Sequence, residues 1–220
     1  MHFVRTDNSE AAAQKLASTI SALLGQGKQV VWFVSGGSAV SIAVSARKML
    51  MQTDGLIVVQ VDERYGPVGH PDSNWQQLLD AGFVTDGVTC YPILTGKDLE
   101  TTVADYDQLL VTSLQSADYR IGLFGMGADG HTAGILPHSV AADVKDQLVA
   151  SYQGPDYLRI TTTAPAIMQV DLAVLYAAGE SKLPALQNLQ KDLPVTEQPA
   201  QLLKRIPELW IYNDQIGEQT

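Results

Sequence analysis

One short segment of the chain combines glycines with two side chains suited to proton transfer. The segment from Gly125 to Ala133 reads GMGADGHTA and follows residues 119–124, an apolar run typical of a buried strand. Glycines at the end of a strand allow a turn through positive φ and leave room for a ligand beside the backbone. Asp129 and His131 lie in that turn, and a histidine, with an unperturbed pKa of about 6.5, can transfer protons at neutral pH. The segment therefore predicts a base, with a possible orienting carboxylate, at one end of a sheet.

Polar residues follow two further apolar runs. Residues 29–34 precede Ser35-Gly36-Gly37-Ser38, where free backbone N–H groups could hold a phosphate, although a helix N-cap with a tight turn explains the same residues without a ligand. Residues 56–61 precede Asp62-Glu63-Arg64, which could equally be exposed surface charge. In a parallel sheet, the carboxyl ends of the strands share one edge, and ligands bind there in open α/β folds. We therefore expect the three polar segments to converge.

Other chemistries receive less support from the sequence. Residues 125–130 satisfy the dinucleotide-binding pattern G-x-G-x-x-G, but Pro137 interrupts the helix that should follow. Residues 36–40 lack the final glycine of the G-x-S-x-G nucleophile elbow, so a serine hydrolase is not supported. The chain has no H-x-x-x-H, H-x-H or paired-cysteine motif, which argues against a dedicated zinc site.

Helices and strands must alternate along the chain if these segments are to meet. A helix capped by Ser9 and ending at Gly25 is predicted from the recurrence of apolar residues on one face. Further helices are predicted after Ser38, near 75–79, at about 98–114 and at 181–189, and strands at 29–34, 56–61, 88–91, 119–124, 159–163, 170–177 and 209–212. Strands that are apolar throughout and alternate with helices predict a largely parallel sheet covered on both faces. Without a linker or a repeat, residues 1–220 are expected to form a single domain.

Composition restricts the partners of this protein. The 220 residues carry a formal net charge of −10, which argues against a general nucleic-acid or anionic-membrane surface. An anionic small substrate remains possible, because Arg159 and Lys182 could supply the cations that it needs. Cys90 is the only cysteine, and no apolar signal core or membrane-length run is found, so we expect a soluble protein of the cytoplasm.

The motifs occur in a recognisable order. SGGS at 35–38, DER at 62–64, HPDSN at 70–74 and GMGADGHTA at 125–133, followed by RIT at 159–161 and GESK at 179–182, resemble the 6-phosphogluconolactonase family. This resemblance implies a doubly wound, Rossmann-like α/β fold with a mostly parallel sheet. It also implies a cytoplasmic hydrolase of the oxidative pentose phosphate pathway that needs no metal or other cofactor. The substrate would be a phosphorylated sugar lactone, 6-phospho-D-glucono-1,5-lactone, and the protein a monomer or small homo-oligomer.

The same resemblance suggests roles for individual residues. His131 would be the base, Asp129 would orient its ring or the substrate hydroxyls, and Arg64 would stabilise negative charge on the carbonyl oxygen. The residues expected to hold the phosphate are Gly36, Gly37, Ser38, Arg159 and Lys182. The remaining expected substrate-binding residues are Asp62, Asn74 and Gly127.

Two alternatives remain open at this point. Glucosamine-6-phosphate deaminase belongs to the same wider group, and in a deaminase or isomerase Asp62 could serve as the base. That enzyme has Asp-Glu-Tyr where this chain has residues 62–64, and it has a glutamate where this chain has Leu136. A leucine cannot transfer protons, so deamination by that mechanism is disfavoured. The second alternative is a non-catalytic sugar-phosphate-binding protein, since the usual Thr-Pro after the phosphate loop is Ala39-Val40 here. The usual Ser-Leu-Phe-Pro is replaced by residues 134–137, Gly-Ile-Leu-Pro, which changes the pocket.

Overall fold

Seven parallel strands form the central sheet in the computed structural model, which describes residues 1–217. The strands of the chain are β1 (His2–Arg5), β2 (Val30–Val34), β3 (Leu56–Gln60), β4 (Asp62–Arg64), β5 (Thr89–Tyr91), β6 (Tyr119–Gly125), β7 (Val149–Gln153), β8 (Leu158–Thr162), β9 (Leu172–Tyr176) and β10 (Glu208–Asn213). The order in the central sheet is β1-β10-β9-β6-β2-β3-β5, and every neighbouring pair is parallel. The predicted parallel sheet is confirmed.

Helices cover both faces of this sheet. They are α1 (Glu10–Gly25), α2 (Val40–Met49), α3 (Asn74–Asp80), α4 (Leu99–Ser116), α5 (Ala164–Ile167) and α6 (Leu183–Leu189), with 3-10 helices at Gly37–Ala39, Val140–Asp143, Glu180–Lys182 and Pro199–Arg205. Strand β2 shows why its sequence is apolar throughout. Val31 and Phe33 belong to the core on the face of α4 and α6, whereas the alternate residues belong to the core on the face of α1 and α2, namely Val30, Trp32 and Val34. A strand buried on both sides has no solvent face to carry polar residues.

A second, antiparallel sheet of order β4-β8-β7 corrects the sequence interpretation. Asp62-Glu63-Arg64, expected as the polar end of a strand, is itself a strand, and it pairs with β8 in the register Asp62↔Thr161 and Arg64↔Arg159. The strand expected at 159–163 therefore does not join the parallel sheet. The β-branched residues of this strand, Ile160, Thr161 and Thr162, favour an extended conformation in either kind of sheet.

Several local details also differ from expectation. Strands β1 and β7 are not anticipated by the sequence patterns. Ser9 precedes α1, but its side chain makes no capping hydrogen bond; instead the Oδ1 atom of Asn8 accepts one from Glu10 N at 2.8 Å. Asp98 does cap α4, through a 2.9 Å bond from Thr101 N to its Oδ1. Among residues 1–217, no helix has the length and apolar character needed to cross a membrane.

Candidate active site

The predicted site residues meet in one cavity of about 270 Å³ at the carboxyl edge of the central sheet. The residues that line it are Ser35, Gly36, Gly37, Ser38, Asp62, Arg64, Asn74, Gly125, Met126, Gly127, His131, Ala133, Gly134, Arg159 and Lys182. Of the predicted residues, Asp129 alone is not in this lining, and it contacts the cavity through His131. Strands β2 and β6 are neighbours in the sheet, and β3 is the next strand beyond β2. The convergence of the three strand ends therefore follows from the topology.

His131 and Asp129 form a hydrogen-bonded pair on the turn after β6. The Nδ1 atom of His131 lies 2.7 Å from Asp129 Oδ1, which also accepts a bond from His131 N at 3.1 Å. Because an ionised carboxylate only accepts hydrogen bonds, Nδ1 is the donor, and in the neutral ring Nε2 carries the lone pair. Burial opposes ionisation of Asp129, but the hydrogen bonds and charge of His131 lower its pKa below the ordinary value. The pair is therefore arranged for proton transfer at Nε2.

Gly127 lets this pair pack against the backbone. A Cβ atom at this position would lie 2.1 Å from His131 Nδ1 and 2.4 Å from Asp129 Oδ1. Gly36 has the same relation to Asn74, whose Oδ1 atom would be 2.2 Å from an added Cβ. Both glycines line the cavity, and both also provide the space in which a polar side chain is held.

The loop formed by residues 35–38 has two features that suit an anion. Gly37 has φ of +61° and opens the 3-10 helix Gly37–Ala39, and the hydroxyl of Ser35 is buried without a hydrogen-bond partner in the described part of the chain. Ala39 is fully buried, and its methyl side chain adds no polar group to the cavity. The loop can therefore present backbone N–H groups and hydroxyls to a ligand.

Asp62 is a carboxyl group buried inside this polar cavity. The Nδ2 atom of Asn74 donates to its Oδ2 at 3.2 Å and to its backbone oxygen at 3.0 Å. Gly134, with φ of +67°, crosses so closely above it that a Cβ there would lie 2.7 Å from Oδ2. Burial and the charge of Glu63 raise the pKa of Asp62 to about 6, against the opposing charges of the cations and His131.

Glu63 points to the other side of β4 because side chains alternate along a strand. Its carboxylate is fully buried and accepts from Arg64 N at 2.8 Å and Asn74 N at 2.6 Å. It also accepts from Trp75 N at 3.0 Å, Ser73 Oγ at 2.8 Å and Gln60 Nε2 at 3.0 Å. The sequence analysis missed this connection between β4 and the start of α3. If residues 62–64 are treated as a strand, the alternating direction of their side chains places Glu63 on the face opposite Asp62 and Arg64.

Three cations face the cavity. The Nη1 atom of Arg64 donates to Asp72 O at 3.0 Å, and its guanidinium lies 4.9 Å from the centre of the Tyr157 ring. Arg159 extends from β8, directly across the antiparallel ladder from Arg64. Lys182 ends the 3-10 helix that follows Gly179, whose φ of +102° requires the freedom of glycine. The cavity thus gathers positive charge on a chain of net charge −10.

Within segment 134–137, only Gly134 is among the residues that line the cavity. Leu136 is half-buried and packs against the hydrophobic core. Its backbone N–H donates to the hydroxyl of Tyr152 at 3.2 Å. The position at which the deaminase motif has a glutamate is therefore occupied by an apolar side chain outside this site.

Comparisons with known proteins identify the family to which this chain is similar. The family model for glucosamine-6-phosphate isomerases/6-phosphogluconolactonase matches residues 5–210. A 6-phosphogluconolactonase of Nostoc sp. is 33% identical over 168 residues, which are 70% of this chain and 68% of that protein.

Solved structures share the fold. The structure of a 6-phosphogluconolactonase from Thermotoga maritima has a TM-score of 0.80 at 20% identity and covers 96% of this chain and 98% of its own. The structure of a monomeric glucosamine-6-phosphate deaminase has a TM-score of 0.80 at 18% identity and covers 98% of each chain. At these identities, the likeness establishes the doubly wound α/β architecture. With the family model matching nearly the whole chain, the protein belongs to the family of glucosamine-6-phosphate isomerases and 6-phosphogluconolactonases.

Proposed function

We propose that this chain hydrolyses 6-phospho-D-glucono-1,5-lactone to 6-phosphogluconate. The observation that carries the proposal is that one cavity is lined by three cations and by His131, which is hydrogen-bonded to Asp129. A base with its free nitrogen in the cavity suits the activation of water, and the cations suit a phosphorylated substrate. The named relatives at about a third identity are 6-phosphogluconolactonases, which supports the same reaction.

The reaction needs one base and one site for negative charge. His131 Nε2 takes a proton from water while the water oxygen attacks the lactone carbonyl carbon. Negative charge then develops on the carbonyl oxygen, where Arg64 and Asn74 stabilise it. When the intermediate collapses, the bond from the carbonyl carbon to the ring oxygen breaks, and His131 returns the proton to that oxygen. The single product carries both a carboxylic acid, which ionises, and the freed hydroxyl group.

The phosphate group occupies the other end of the cavity in this proposal. Backbone N–H groups of residues 36–38 and the Ser38 hydroxyl face it, and Arg159 and Lys182 contribute charge. Asp62 lies between the base and the cations and binds a substrate hydroxyl. Because both sheets of one chain contribute lining residues, we propose that the chain works as a single domain. We also propose, from the resemblance to the family, that it is a monomer or small homo-oligomer in the cytoplasm.

Turnover of freshly generated 6-phosphogluconolactone, followed by pH-stat or NMR, tests this function. We expect a clear preference for the phosphorylated lactone over gluconolactone, and His131→Asn to lower kcat by at least about 100-fold because the base is lost. His138→Asn is the matched control. His138 has φ of +58°, which asparagine tolerates, and it is not among the residues that line the cavity. Near wild-type turnover by the His131 variant would refute the assignment of the base.

Two other outcomes would select different functions. Release of ammonia from glucosamine 6-phosphate, without lactone hydrolysis, would favour a deaminase in which Asp62 is the base. Tight binding of 6-phosphogluconate without hydrolysis would favour a non-catalytic sugar-phosphate-binding protein.

A further inference from the structure

Arg159 already has an anionic partner inside the protein. Its side chain is 11% exposed, and its Nη2 atom donates to both carboxylate oxygens of Asp156, at 2.8 Å to Oδ1 and 3.1 Å to Oδ2. The Nε atom of Arg159 is buried and has no acceptor within residues 1–217. Each two-nitrogen fork of this guanidinium includes Nη2, so a phosphate that binds Arg159 through a fork shares that nitrogen with Asp156.

Asp156 lies on a short turn beside two arginines that line the cavity. The turn joins β7 to β8 and is closed by a 2.8 Å bond from Gly154 N to Tyr157 O. The Asp156 side chain is 52% exposed, so solvent can replace Arg159 as its partner. Next to it, the Tyr157 ring lies 5.8 Å from the guanidinium of Arg159 and 4.9 Å from that of Arg64. The turn therefore brings a carboxylate and an aromatic ring to the two arginines of the cavity.

Asp156 carries its negative charge at neutral pH. Partial burial opposes ionisation, but the hydrogen bond and charge of Arg159 lower the pKa of Asp156 below its usual value. A phosphate bound to Arg159 would therefore face a carboxylate on the same guanidinium, and like charges repel.

We propose that Asp156 competes with the substrate phosphate for Arg159 and so sets the affinity of the site for phosphorylated substrates. The inference rests on the proposed function, because it takes Arg159 as a phosphate ligand. In the free protein, Asp156 holds the guanidinium. When the phosphorylated lactone binds, the phosphate takes over Nη2 and the half-exposed carboxylate turns to water. Asp156 is thus an affinity-determining residue outside the reacting atoms.

Asp156→Asn tests the competition directly. Asparagine keeps the oxygen that accepts from Tyr157 N at 3.0 Å, but it removes the charge. We expect KM for the phosphorylated lactone to fall by roughly 1.5- to fivefold, the range of a partly exposed ion pair, with kcat unchanged. Kinetics on unphosphorylated gluconolactone should not change. In an Arg159→Ala background, the Asp156 substitution should have no further effect on KM.

The matched control is Asp192→Asn, which removes a carboxylate paired with Lys204 at 2.7 Å and absent from the cavity lining. It should leave both substrates unaffected. An unchanged or higher KM in Asp156→Asn would overturn the competition, as would an effect that persists without Arg159.

Calorimetry with inorganic phosphate separates this inference from the proposed function. If neither lactone is hydrolysed, the proposed function fails, and tighter phosphate binding by Asp156→Asn still supports the competition, whereas unchanged or weaker binding refutes it.

Discussion

Two carboxylates at the site, Asp129 and Asp62, have environments that shift their pKa values in opposite directions. Asp129 accepts hydrogen bonds from His131 and keeps its charge. Asp62 is buried beside Glu63, and its pKa rises to about 6. Pairs of acids separated in this way commonly divide the roles in a catalytic site. Asp129 is suited to hold a base in its tautomer, whereas Asp62 can either donate or accept a hydrogen bond near neutral pH.

The raised pKa of Asp62 predicts a pH-dependent effect on stability. Between the ordinary value of 3.8 and about 6, the folded state binds more protons than the unfolded state, so stability falls as pH rises through this window. The ionised group costs about 3 kcal/mol above it. Asp62→Asn cannot ionise, so its free energy of unfolding relative to wild type should increase between about pH 4 and about pH 7.5. Urea denaturation at the two pH values measures this difference.

Asp7→Asn provides the comparison, because Asp7 is an exposed carboxyl near the amino terminus. Its stability relative to wild type should be the same at both pH values. A pH-independent difference for Asp62→Asn would show that the buried carboxyl is not penalised in the folded state.

At the scale of elements, β4 and α3 behave as one unit. Three of the five hydrogen bonds to Glu63, from Ser73 Oγ, Asn74 N and Trp75 N, join this strand to the helix that begins with Asn74. Strand β4 has only three residues, and its ladder partner is β8. Glu63 accepts hydrogen bonds from the first N–H groups of α3, which have no partner inside the helix. These bonds hold the short strand in place in addition to its backbone pairing with β8.

Glu63→Gln should weaken this unit. Glutamine offers one acceptor oxygen, and its NH₂ group would face N–H and O–H donors, so buried donors would be left without a partner. We expect the free energy of unfolding to fall by about 2–5 kcal/mol, measured by urea denaturation at neutral pH. Glu100→Gln, in the exposed first turn of α4, should change it by less than about 0.5 kcal/mol. A loss from the Glu63 variant no larger than that control would contradict the assigned role.

Local patterns could predict the elements that are long and strongly apolar, and these include the strands whose ends carry the cavity. They could not predict the antiparallel sheet, because the Asp62↔Thr161 pairing joins residues far apart in sequence and β4 is short and polar. Strand β7 was missed because it has only five residues, VASYQ, and they show no regular apolar alternation. The residues that line the cavity could be predicted from residue types and from the order of the motifs. The packing of His131 over Gly127 could not, because it depends on the close approach of atoms in three dimensions.

Across the whole molecule, the cavity connects the two sheets. Arg64 and Arg159 come from the antiparallel sheet, while the phosphate loop and His131 follow strands of the parallel sheet. A ligand that contacts both parts stabilises their association, and its binding free energy adds to the stability of the folded chain.

Binding of the product should therefore raise the stability of the whole chain. We expect 6-phosphogluconate at about 100 times its Kd to increase the free energy of unfolding by about 2.7 kcal/mol. Hydrogen exchange should slow in β8 as well as in β2 if the ligand contacts both sheets. Gluconate at the same concentration is the control and should have little effect. Protection confined to one sheet would refute a ligand that bridges them.

The position of β10 has a consequence for the synthesis of this protein. The strand formed by residues 208–213 lies inside the sheet, between β1 and β9, and His2 pairs with Trp210. On the ribosome, the first strand is made early but has no neighbour until the last one has emerged from the exit tunnel. Until then, β9 lacks its neighbour on that side and β1 has no strand to pair with. Docking of β1 is therefore a late step of folding, because it must wait for the synthesis of residues 208–213.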